Sequence, residues 1–141
     1  MTDTEFAATA MAVVSASVAA LVWWMTRECA AGRILAKRRT FGIRTRHTLV
    51  SDEAWMRGHE AALPWTLAGR YLAGLLAVAT LVVVGLDREA PFGIALGIAG
   101  IVTVLATYVA AVLAISRAAS DTDAPAPTTG DVVAPQVGEQ D

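Results

Sequence analysis

Long uncharged apolar blocks alternate with short polar stretches along the chain. The first block, Phe6 to Thr26, has 21 residues and no charge. At about 1.5 Å per helical residue it covers about 31 Å, close to the thickness of a bilayer's hydrocarbon core. The last block, Ala90 to Ser116, is also uncharged, and Pro91 falls in its first turn, where a missing N–H is harmless. Between them, Tyr71 to Leu86 gives only 16 uncharged residues, about 24 Å and short for a span. Extending this block back to Trp65 gives 22 residues and includes Arg70, whose long side chain can snorkel to the headgroups from one turn inside the boundary. The pattern predicts an all-α integral membrane protein with spans at 6–26, 65–86 and 91–116.

The polar stretch 27–64 carries its own pattern. Gly42 is expected to break any helix running in from the first span. A new helix is expected at Ser51, a serine N-cap followed by Asp52 and Glu53, whose charges suit the helix dipole. Trp55 and His59 lie four residues apart on one face, which Leu63 continues. Pro64 is expected to end or kink the helix. This predicts a short amphipathic helix, separate from the spans and too short to be stable alone.

Composition and charge sharpen this picture. The chain of 141 residues is 55% apolar and 17% charged, against about 45–50% and about 25% in soluble domains. Residues 27–70 hold nine of the eleven basic side chains, while the N-terminal flank has Asp3 and Glu5 and no basic residue. By the positive-inside rule the 27–64 loop is cytoplasmic, the N-terminus is outside and the C-terminus is inside. The acidic first residues also argue against a cleaved signal peptide, which needs a basic start. Residues 1–119 therefore read as the membrane domain. Residues 120–141 have five acids and no basic residue and read as a disordered acidic tail.

At this point the residues carry a resemblance. Gly42-Ile43-Arg44-Thr45, then Thr48, then the acidic helix start at Ser51, then Trp55 and His59 at fixed spacing, resemble the signature of the SdpI/YhfL family of bacterial membrane proteins. The likeness covers about residues 5–117. The chain departs from the family pattern at Arg38-Arg39-Thr40, where an asparagine is common, and at Glu60, where a basic residue is common. It also lacks the extra spans of longer members. The family is named for immunity against a secreted toxic peptide, and some members signal.

Candidate chemistry is sparse. Arg44 suits a lipid phosphate or a partner's carboxylate, or ties the loop to the helix at Ser51. Thr45 and Thr48 read as turn and capping hydroxyls. Trp55 and His59 read as a sensing or toxin-contact surface with a histidine that titrates near neutrality, or as an interfacial tryptophan with a hydrogen-bonded histidine beneath it. Cys29, His47 and His59 have no metal-ligand spacing, and Cys29 reads as inert. Gly93, Gly97 and Gly100 suit close helix packing, inside the bundle or between copies. No span holds an acid, and no phosphate loop, cofactor motif or nucleophile–base pair is present. The expectation is a protein that is not an enzyme, has no cofactor and binds no nucleic acid. Its partners would be membrane lipids and a peptide toxin or another protein, with self-association open. It would confer immunity to membrane-active peptides, or sense them, by binding. The rival reading is a structural or accessory subunit of a larger membrane complex.

Overall fold

The computed structural model describes residues 2–34, 42–86 and 90–122. The Lys37-Arg38-Arg39 cluster, the stretch Asp87–Glu89 and the residues beyond 122 lie outside the described residues. Among the described residues there are three helices: α1 (Asp3–Ala30), α2 (Asp52–Gly85) and α3 (Ala90–Thr122). Each is long and apolar enough to cross a membrane. α2 packs along both neighbours, most extensively along α3.

α1 begins earlier than its apolar block because Thr2 and Glu5 form a capping box. The Glu5 N–H donates to Thr2 Oγ1 at 3.3 Å, and the Thr2 N–H donates to Glu5 Oε2 at 2.7 Å. Its other end is closed by Gly32 (φ 70°), not by Gly42. The Gly32 N–H donates to the Cys29 carbonyl and the Arg33 N–H to the Glu28 carbonyl, both at 3.1 Å. This is a Schellman closure, which needs a left-handed residue where glycine sits.

α2 corrects the expectation of a separate amphipathic helix. Ser51 does cap it, accepting from the Ala54 N–H at 3.0 Å, but the helix then runs through Pro64 to Gly85 without a break. Proline inside a helix costs about 3 kcal/mol. The offset is a single buried stripe, Gly58, Ala62, Thr66, Gly69 and Ala73, which passes Pro64 without changing face. Ending the helix at Pro64 would pull half of that stripe off its partners. α3 also outruns its expected end at Ser116. Ile115 and Ala119 are buried, and Ser120 Oγ donates to the Ser116 carbonyl at 2.7 Å.

The side-chain distribution is the reverse of a soluble bundle's. Small residues such as Ala8, Ala12, Ser15, Ala73 and Ala77 are buried, while Phe6, Leu75, Val78, Val102 and Leu105 are each more than half exposed. That is the surface of a membrane protein, with large apolar side chains facing lipid and small ones letting backbones approach. The glycine face of α3 is spent inside the bundle. A Cβ on Gly97 would sit 3.1 Å from Met11 Cβ, and one on Gly100 would sit 2.9 Å from Ser15 Oγ.

The helices differ in length, and this shapes the molecule. α2 has 34 residues and α3 has 33, about 50 Å each, against about 30 Å of hydrocarbon. About 20 Å of this pair therefore has to lie beyond the bilayer core. Gly69 gives a direct test of the packing. A Cβ there would lie 2.5 Å from Thr107 Oγ1 and 3.0 Å from Thr107 Cβ, whereas one on Gly74 would meet nothing within 4 Å. Gly69→Ala is expected to lower stability by about 1–3 kcal/mol through overpacking. Gly74→Ala is expected to be neutral or to raise stability by up to about 1 kcal/mol through helix propensity. Thermal unfolding of the two variants in mild detergent reads the contrast.

Candidate functional site

The motif residues meet where the loop returns onto the bundle. Gly42 has φ 88°, and its bare α-carbon faces three side chains from two helices. A Cβ there would lie 2.8 Å from Cys29 Sγ, 2.8 Å from Trp55 Cζ2 and 2.9 Å from His59 Nε2. Both the backbone conformation and the space exclude a side chain. Trp55, His59 and Cys29 are fully buried, and the Trp55 and His59 ring centroids are 4.3 Å apart.

His59 is the bridge. Its Nδ1 lies 2.8 Å from the Trp55 carbonyl, which can only accept, so Nδ1 carries the proton. Nε2 is then the lone-pair nitrogen and accepts the Ile43 N–H at 3.2 Å. The neutral imidazole has both nitrogens committed, one within α2 and one to the loop. This is the hydrogen-bonded histidine among the alternatives, and the ring has no edge free for a ligand. Trp55 Nε1 is the one buried side-chain polar atom without a partner among the described residues.

The threonines close the next turn of the loop. The Thr45 N–H donates to Thr48 Oγ1 at 3.0 Å, and the Thr48 N–H donates to Thr45 Oγ1 at 3.2 Å. The Thr48 hydroxyl donates back to the Thr45 carbonyl at 3.0 Å. Thr48 is fully buried, and its methyl group packs on Gly58, with Ile115 of α3 on the same glycine. Ile43 packs beside Ala62, Ala111 and Ile115. Gly42, Ile43, Thr45, Thr48, Trp55 and His59 therefore form one knot that ties the loop to α2, α3 and the end of α1.

Arg44 stands apart. It is exposed and makes no hydrogen bond or ion pair among the described residues. His47 is not free: Arg46 Nε donates to its Nε2 at 3.0 Å. Sequence reasoning missed Ile115, because an isoleucine carries no signal until α3 lies against α2. Among the described residues no cluster of side chains could hold a metal ion.

Beside the knot is a cavity of about 160 Å³. Gly42 and Ile43 form one wall, and Val22, Met25, Thr26 and Tyr108 form the rest. Thr26 has its hydroxyl donated to the Val22 carbonyl at 2.8 Å, so its methyl and backbone, not a free hydroxyl, are offered to the space.

The class that this fold and surface define is a membrane protein with three long apolar helices among its described residues. No protein-family model, no curated protein and no solved structure matches the chain.

The knot predicts how variants behave. Gly42→Ala, which clashes on three sides, and His59→Ala, which strands the Ile43 N–H, are each expected to cost about 1–3 kcal/mol of local stability. The loop carries tryptic sites at Arg44 and Arg46, so cleavage there should speed up about tenfold or more in both variants. Thr48→Ser keeps every hydrogen bond and loses only a methyl group, and should be cut at close to the wild-type rate.

Proposed function

We propose that the chain is a short multi-pass protein of the bacterial cell membrane, of the SdpI/YhfL kind, that confers immunity to a membrane-active peptide or senses it by binding. It breaks no bond in doing so. Its N-terminus is outside, and its basic loop and C-terminus are cytoplasmic. The charge distribution supports this orientation, with nine of eleven basic residues between Arg27 and Arg70.

The observation that carries the binding reading is the cavity beside the knot. At about 160 Å³ it is smaller than the roughly 300–1,000 Å³ of small-molecule sites. It is suited to one inserted apolar side chain, not to a substrate. It also lies where the lipid-facing surface of α1 meets the folded loop. A membrane-active peptide lies in that same interfacial zone, with Trp, Phe or Leu side chains turned toward the acyl region. The knot holds one wall of the cavity rigid, so a peptide side chain would enter a preformed hole and little ordering entropy would be lost.

The test is growth under a panel of membrane-active peptides, comparing wild type with Val22→Phe at matched membrane abundance. Val22→Phe fills the cavity and leaves every residue of the knot itself unsubstituted. Protection by wild type and its loss in Val22→Phe is the expected outcome. Protection by neither form overturns the immunity reading and leaves the accessory-subunit reading in its place.

A further inference from the structure

Two arginines from different helices converge on one indole ring. The guanidinium of Arg70, on α2, lies 4.2 Å from the Trp23 ring centroid, and that of Arg27, on α1, lies 5.8 Å from the same centroid. Arg70 is also 5.8 Å from the Tyr71 ring. Contact through the ring faces holds the cations in place by the ring quadrupole. It leaves the N–H edges of the guanidinium forks unused.

No acceptor among the described residues takes those edges. Neither arginine makes a hydrogen bond or an ion pair there. Glu28, the residue after Arg27, has both carboxylate oxygens on Arg33, with Nη2 to Oε1 at 2.6 Å. Two cations gather at one ring. The nearest carboxylate, Glu28, is held below its usual pKa mainly by its hydrogen bonds to Arg33 and in smaller part by the charge of Arg27, but it spends those hydrogen bonds on Arg33, which leaves a half-built site.

Depth decides what can complete it. Arg70 is 15 residues from Gly85, the far end of α2, about 22 Å along the helix. That places it within the roughly 30 Å of hydrocarbon, about one turn or more from the loop-side boundary. Trp23 is only half-buried, and Arg27 is exposed, so the pair faces the boundary and not the bundle interior. An anion that reaches this level comes with the bilayer.

We propose that Arg27 and Arg70, held by Trp23, clamp the headgroup phosphate of an anionic phospholipid at the loop-side face of the membrane. Arginine's planar fork suits two phosphate oxygens at once. The basic character of residues 27–70 raises the local concentration of anionic lipid at that face. The site is separate from the cavity beside the knot and does not depend on the peptide-binding reading.

Native mass spectrometry of the full chain in mild detergent tests the proposal, with added phosphatidylglycerol or phosphatidylcholine as probe. Wild type is expected to retain phosphatidylglycerol in preference to phosphatidylcholine. Arg27→Gln and Arg70→Gln are each expected to weaken that retention about fivefold, the value of one charge at a membrane surface. Arg57→Gln is the control, because Arg57 pairs with Glu53 at 2.9 Å and lies far along α2 from Trp23. Arg27→Gln alters an exposed side chain and keeps the test valid if Arg70→Gln fails to fold. Wild-type retention in Arg27→Gln overturns the clamp, as does an equal loss in Arg57→Gln. Displacement of the lipid by inorganic phosphate alone would mean a site for free phosphate and would also overturn it.

Discussion

Close approach of helix backbones through small residues is the constraint on which the fold depends. Lipid tails are as apolar as leucine, so burying large apolar side chains between helices gains little in a membrane. What remains is van der Waals contact, and that needs backbones near one another. Gly97 against Met11, Gly100 against Ser15 and Gly69 against Thr107 supply it. The buried threonines of the helices and Ser15 add no unsatisfied groups, because each hydroxyl returns its proton to a carbonyl of its own helix, as Thr80 does to Leu76 at 2.8 Å.

At the loop end of the bundle the size of the packed side chains changes. There α2 and α3 run on as a pair, and the side chains between them and the loop become large: Trp55, Ile115 and His59 are all fully buried. The knot is packed like a small soluble core, with large side chains buried among the helices and the loop. Its polar member, His59, is acceptable only because both nitrogens are satisfied. The knot gives the loop one conformation, and with it a fixed wall for the neighbouring cavity. A binding role for that cavity and a lipid role for the Arg27–Trp23–Arg70 cluster use different faces of one rigid platform. Both lie at the boundary between the two packing regimes, where apolar and charged groups can be presented together.

How much of this was legible depends on the range of the interaction. Three uncharged blocks, the serine cap at Ser51 and the i, i+4 relation of Trp55 and His59 are local, and each stands in the structure as read. The motif positions were legible as a group, but their role was not. Gly42, Cys29 and His59 come within about 3 Å of one point, although 13 residues separate the first two in the chain and 17 separate Gly42 from His59. Arg44, the motif residue with the most apparent chemistry, is the one left outside the knot.

The sequence by itself determined the number of long apolar helices, the starting point of α2 and the concentration of basic charge at one end. These follow from hydropathy, capping chemistry and charge counts, which need no partner. The tertiary structure alone decided that α2 continues through Pro64 and that the glycine face of α3 turns inward onto α1. It also decided that Trp55 and His59 face the interior. The reason is the same in each case. A local preference of a few kcal/mol or less is overridden when a continuous stripe of contacts on a neighbouring helix rewards the alternative.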